Sequence, residues 1–203
     1  MLLVGLSGSL GSGKSTAGRA LAARGAAVID ADQVARELLA PGTAAAQAVL
    51  DHFGPGVHSP DGSVDRQALA AIVFADPTQR AALEAITHPL VHQEVRRRVA
   101  ELADAAPGSV IVVEIPLLDA ARRDQYGFDV VVLVETQPDI AVSRAVGRGM
   151  IEDDARARMA VQPTAAQRRQ VADRTLVNDG TPARLEAAVD ELWAWLLEQS
   201  SHT

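Results

Sequence analysis

Residues 8–15 read Gly8-Ser9-Leu10-Gly11-Ser12-Gly13-Lys14-Ser15, a complete G-x-x-x-x-G-K-[ST] run. It follows an apolar stretch, Leu2 to Leu6, with the character of a buried strand, and opens an alanine-rich stretch, Lys14 to Arg24, that reads as a helix. Strand, glycine loop and helix in that order leave few folds open. The glycines let backbone N–H groups turn inward around a phosphate, and the helix N-terminus adds its partial positive charge. In that arrangement Lys14 is expected to reach the β- and γ-phosphates of a nucleotide and Ser15 to offer its hydroxyl to Mg²⁺. The alternative is a strand-to-helix turn that holds nothing, and the full match in its strand-and-helix context weighs against it.

Lys14 is the only lysine among 19 basic residues; the rest are arginine. A chain that uses guanidinium everywhere else and keeps one compact ammonium here needs a point charge at this place, unless compositional drift left it by chance. The formal charge of −7 argues against a nucleic-acid partner, so a phosphate site must be local. The chain has no cysteine, which excludes a disulfide framework and a thiolate metal site and fits a reducing cytoplasm. Met1 to Leu6 lacks a basic leader and breaks at glycines, so no signal peptide or membrane span is expected.

Further strands are expected at Ala26 to Ile29, Val110 to Val113, Val130 to Val134 and, more weakly, Thr175 to Val177. Alternating with helical stretches, they predict an α/β fold: a parallel five-stranded sheet flanked by helices. Residues 1–40, 109–147 and 171–203 would form this core. Residues 41–108 are helical in pattern, without a convincing strand, and are punctuated by Pro41-Gly42, Gly54-Pro55-Gly56, Ser59-Pro60-Asp61-Gly62 and Asp76-Pro77. They read as a helical insertion, with a break expected at His88-Pro89. Residues 148–170, polar and poor in apolar positions, suit a mobile flap. In the last helix, about Pro182 to Leu197, Trp193 and Trp195 stand two apart and cannot share a face.

Asp30 and Asp32 stand just after the second strand, where a parallel sheet binds its ligands. One is expected to cap the following helix and the other to accept a proton from an attacking hydroxyl; capping is assigned chiefly to Asp30 and chemistry to Asp32. Lys14 and Asp32 are separated by enough chain for one crossover helix and a short strand, so both are expected at the same sheet edge.

The loop Gly8 to Thr16, Ile29-Asp30-Ala31-Asp32 with Ala35-Arg36, Thr87-His88-Pro89-Leu90-Val91 and Glu114-Ile115-Pro116-Leu117-Leu118 stand in the order of the motifs of the dephospho-coenzyme A kinases, and the chain resembles that family. The likeness continues through Arg144, Arg148, Ala155-Arg156-Ala157-Arg158-Met159, Gln162, Ala172-Asp173 and Asn178, almost the whole chain. It implies a P-loop kinase with a helical substrate-binding insertion and a lid. The implied reaction is transfer of the γ-phosphoryl group of ATP to the ribose 3′-hydroxyl of dephospho-coenzyme A.

In that resemblance Asp32 is the general base, and Lys14, Arg144 and Arg148 are its catalytic companions. Leu10, Gly11, Ser12, Gly13, Lys14, Ser15, Thr16 and Asn178 bind the nucleotide, and Asp32, His88, Glu114 and Leu117 bind the acceptor. Mg²⁺ falls to Ser15, with Glu114 through water. Bland readings stand beside these. Arg144 and Arg148, four apart on an expected helix, suit a solvated basic face as well as a phosphate clamp. His88 either contacts substrate or ends a helix, Glu114 either serves the site or pairs with an arginine, and Asn178-Asp179-Gly180 is also good turn chemistry. Ala141, Ile151 and Pro163 depart from the family pattern and bear on the lid. A kinase of another small acceptor is the runner-up, and a nucleotide-dependent switch the alternative of another class. The protein is expected to be a monomer or small homo-oligomer.

Overall fold

The computed structural model describes residues 1–201. Apolar runs form the strands β1 (Leu2–Gly8), β2 (Ala27–Asp30), β3 (Val110–Glu114), β4 (Val130–Glu135) and β5 (Arg174–Val177); β1, β3 and β4 are buried throughout, as inner parallel strands covered by helices require, and β2 and β5 only in part. They form one parallel sheet in the order β2-β3-β1-β4-β5. Because β3 and β4 flank β1 on opposite sides, the loop after β1 opens at the switch point of the sheet, where such folds take their ligands.

The chain divides into two compact units, residues 1–30 with those from 99 onward, and residues 31–98. The first holds the sheet together with α1 (Lys14–Ala23). Leu2, Val4 and Leu6 of β1, Ala17 and Leu21 of α1 and Val112 of β3 pack in its largest core cluster.

The second unit starts with α2 (Ala31–Leu38), which follows β2 with no intervening residue, and continues with α3 (Ala44–Phe53), a 3-10 turn (Pro55–Val57) and α4 (Arg66–Ala75). Thr43 and Asp65 cap α3 and α4 by accepting backbone N–H bonds. Val49, Leu50, Val57, Val64 and Leu69 make its core. The expected break at Pro89 does not occur: α5 (Pro77–Ala105) runs through it. Pro89 removes one ladder hydrogen bond, a cost of about 3 kcal/mol. Within the unit Leu83 and Ile86 pack against its core one to two turns upstream, which holds the helix in register through the defect.

The remaining helices belong to the first unit: α6 (Ala120–Tyr126), α7 (Pro138–Val146), α8 (Glu152–Ala160), α9 (Ala165–Arg169) and α10 (Pro182–Ser200). The two tryptophans of α10 lean on the core from different sides, Trp195 beneath the Arg174 guanidinium at 4.9 Å and Trp193 towards Gly25. Residues 148–170 hold the short helices α8 and α9. Ala155 of α8 is buried against Val142 and Ala145 of α7, with Leu10 and Met159 at the edge. Glu135, buried at the end of β4, accepts from Arg169 Nε at 2.7 Å and so ties α9 to the sheet.

Candidate functional site

Gly13 caps α1 in the left-handed conformation, φ 92°, and makes no side-chain capping bond to the first N–H groups of the helix. Those donors, with the helix dipole behind them, are what an anion requires. A Cβ on Gly13 would overlap the Asn178 amide nitrogen, and one on Gly11 would overlap the Ala141 carbonyl oxygen. Glycine is thus required twice over, by the left-handed backbone at both positions (φ 72° at Gly11) and by close neighbours. The Ala141 departure is part of that packing: α7 brings its backbone against the loop at a wholly buried alanine.

A cavity of about 610 Å³ opens over the loop. Gly11, Gly13, Lys14, Ser15 and Thr16 line it from the loop and α1, Asp30 from β2, Glu114 from β3 and Arg148 from the turn after α7. Register explains the acids. Leu6 pairs with Glu114, and Glu114 with Asp30, so both carboxylates end their strands beside the loop that leaves β1. Lys14 Nζ donates to Glu114 Oε2 at 2.9 Å, and Ser15 Oγ donates to the same oxygen at 3.1 Å. Glu114 is only 4% exposed, and a charge so buried stands only when paired.

The structure separates Arg144 from Arg148. The expected shared helix face is not formed, because α7 ends at Val146 and Arg148 falls in the turn beyond it, its N–H on the Ala145 carbonyl at 3.1 Å. Arg148 lines the cavity. Arg144 donates to the Asn178 carbonyl at 2.9 Å. Asn178 is buried, and its Nδ2 donates to the Ser12 carbonyl at 2.7 Å, which braces the loop from the end of β5. Asp179 accepts from the Gln137 N–H, which contributes most, and from the Thr136 hydroxyl, and both hold its carboxyl below the usual range.

Two other loop residues face away from the cavity lining. The Ser12 side chain is buried beneath Gly8, its hydroxyl without a protein partner, and Leu10 joins the α7–α8 cluster while its N–H donates to Gln162 at 3.3 Å. Leu117 has φ 53°, the only non-glycine residue in the left-handed region among those described. The turn is held by the Leu118 N–H on the buried Ser7 hydroxyl, at 3.1 Å. Asp32 and His88 belong to the second unit, in the first turn of α2 and in α5 before Pro89. Ile151 stands at the N-cap of α8 without a capping bond, and Glu152, Asp153 and Asp154 in the first turn complement the helix dipole instead. Pro163 directly precedes a capping box at Thr164 and Gln167.

Asp30 and Arg19 line the cavity beyond the residues expected there. Arg19 follows Ser15 by four on α1, a spacing that places both on one helix face and is readable from sequence. Asp30 is expected from sequence beside the loop at the end of the second strand, but as a helix cap; its register opposite Glu114 sets it in the cavity lining.

Residues 2–183 match the family model of dephospho-CoA kinases. The chain belongs to the dephospho-CoA kinase family. It is 47% identical to a dephospho-CoA kinase of Frankia casuarinae over 97% of this chain and 84% of that one, and 46% identical to one of Streptomyces avermitilis over 98% and 96%. A solved Thermus thermophilus protein superposes with a TM-score of 0.78 at 31% identity, covering 96% of this chain and 97% of that one. A dephospho-CoA kinase from Campylobacter jejuni shares the fold at a TM-score of 0.72 and 21% identity, covering 97% and 98%. Among the described residues no helix of this kinase is long and apolar enough to cross a membrane.

Proposed function

We propose that this chain transfers the γ-phosphoryl group of ATP to the ribose 3′-hydroxyl of dephospho-coenzyme A, giving coenzyme A in the last step of its biosynthesis. The observation that carries the reading is the cavity over a complete phosphate loop in a chain of this family, with the only lysine of the sequence at its centre. The 3′ oxygen attacks the γ-phosphorus, the bond to the β-bridging oxygen breaks, ADP leaves, and the hydroxyl proton passes to a base. Asp32 is that base. Lys14 and Arg148 neutralise charge on the transferring group. Arg144 and Asn178 hold the nucleotide side of the loop, and His88 and Leu117 serve the acceptor. Residues 148–170 act as a lid that excludes water.

The donor chemistry fits Mg²⁺: the Ser15 hydroxyl and the Glu114 carboxylate are hard oxygen donors 3.1 Å apart. Among the described residues no cluster of three His, Cys, Asp or Glu offers a fuller cage, as suits an ion that keeps waters and phosphate oxygens as ligands. Ser15 would hold the ion directly and Glu114 through water, and its charge would offset that of the phosphates. In this reading the kinase works in the cytoplasm as a monomer or small homo-oligomer.

The test is purified protein with ATP, Mg²⁺ and separate acceptors: dephospho-coenzyme A, adenosine, nucleoside monophosphates and sugars. Dephospho-coenzyme A is expected to give the fastest ADP release, with a 3′-phosphorylated product by mass. A faster reaction with any other acceptor would overturn the assignment.

A further inference from the structure

Gly18 sits inside α1, one turn past Lys14, fully buried and with no positive φ to account for it. Glycine in a helix interior is a poor choice, since its backbone loses the most freedom on folding and its helix propensity is far below that of alanine. The three neighbouring positions Ala17, Ala20 and Leu21 are buried with ordinary side chains, so burial alone does not exclude alanine. What excludes it is one group. A Cβ at Gly18 would overlap Glu114 Oε1 and stand 2.8 Å from Glu114 Cδ, and the three nearest atoms all belong to that side chain.

We infer that Gly18 is a positioning residue: by lacking a side chain it seats the Glu114 carboxylate against α1, so that its other oxygen meets both Lys14 and Ser15. The inference rests on the reading of this loop as the ATP site. Oε1 occupies the space a methyl group would fill, while Oε2 accepts from Lys14 Nζ at 2.9 Å and from Ser15 Oγ at 3.1 Å. The two oxygens of one carboxylate are rigidly linked, so moving the first displaces the second. The group in the way is the free end of a side chain, not backbone. An added methyl therefore moves the carboxylate and leaves the helix in place. The effect falls on the placement of Lys14 and Ser15, the groups that meet the phosphates and the metal, and not on folding. A glutamate at 114 needs glycine at 18, whereas aspartate, one methylene shorter, draws the carboxylate back and tolerates alanine.

The experiment is a double-substitution cycle on the full-length enzyme, with Gly18→Ala, Glu114→Asp and the pair compared with wild type for ATP turnover, Mg²⁺ dependence and thermal unfolding. Gly18→Ala is expected to lower kcat/KM about tenfold or more, the scale of an outer residue that orients a metal-site ligand, and to raise the Mg²⁺ requirement. Its Tm is expected at or above that of wild type, because alanine is the better helix former. In the Glu114→Asp background the same change is expected to cost less than about threefold, which is the coupling that a direct contact produces. Wild-type kinetics in Gly18→Ala, or an equal loss in both backgrounds, overturns the proposal. If Gly18→Ala alone failed to fold, the pair must fold and turn over, and failure of both overturns it as well. A wild-type protein without ATP turnover fails the reading of the site itself and takes the inference with it.

Discussion

Lys14 and Glu114, 100 positions apart in the chain, form an ion pair of 2.9 Å whose side chains are 12% and 5% exposed. Ser15 shares the same carboxylate oxygen. Glu114 therefore holds the ammonium and the hydroxyl together beside the loop, and in the proposed function a nucleotide would meet donors that are already oriented. Orientation settled beforehand costs nothing at the moment of reaction.

Lys14→Arg keeps the charge and changes its shape. The Lys14 ammonium meets Glu114 Oε2 at 2.9 Å as a point charge, whereas the planar fork is bulkier and directs its donors elsewhere. Turnover is expected to fall at least about 10²-fold, the scale of one lost transition-state donor. Steady-state ADP release measures it, and near-wild-type activity would show that the site takes either cation.

Asp32→Asn preserves shape but cannot take a proton. The chemical step is expected to slow about 10²- to 10⁴-fold with ATP affinity nearly unchanged. Rapid-quench measurement of phosphoryl transfer, with nucleotide binding titrated separately, checks it. An unchanged chemical rate, or a loss confined to affinity, removes Asp32 from the base role and leaves Asp30 and Glu114, which line the cavity, as candidates.

Asn178→Ala leaves the buried Ser12 carbonyl without its 2.7 Å donor, so stability is expected to drop by about 1–3 kcal/mol. In a chain of this size that lowers Tm by about 2–4 °C per kcal/mol. Asn178→Asp is expected to be worse, because it sets an acceptor against an acceptor. A contact with the base of the nucleotide alone would change ATP affinity and leave both melting temperatures at the wild-type value.

Glu94 gives a pH signature in the second unit. Hydrogen bonds from Arg97 and Arg98, with Arg97 contributing most, hold its carboxyl at about 2 against a usual 4.5. The folded value lies below the unfolded one, so the pairing stabilises fully above pH 4.5 and fades as pH falls toward 2. Glu94→Gln is expected to lower Tm at neutral pH by an amount worth at most about 1 kcal/mol, as for partly exposed pairs. The gap between wild type and variant should close toward pH 2 in thermal melts. A gap that does not depend on pH would mean that the ion pair contributes nothing.

The local code of the chain was enough for the strands, the glycine loop and the helix it opens, because apolar periodicity and glycine placement report backbone geometry and burial within a few residues. The acid at 114 was legible in the same way, as a polar residue at the end of a strand, whereas Arg148 reads as sharing one helix with Arg144 and is singled out only by the family resemblance. Tertiary structure decided the rest. Pro89 breaks a helix by local rules, yet α5 passes through it, held on the upstream side by Leu83 and Ile86 in the core of its own unit. Arg144 and Arg148 have the spacing of one helix face, yet α7 ends between them, and Arg144 meets the Asn178 carbonyl while Arg148 lines the cavity. The pairing of Lys14 with Glu114, the brace from Asn178 to Ser12 and the space at Gly18 join segments far apart in sequence. Such contacts depend on sheet register and on how closely helix and strand approach, and a pattern read along one strand or one helix carries neither quantity.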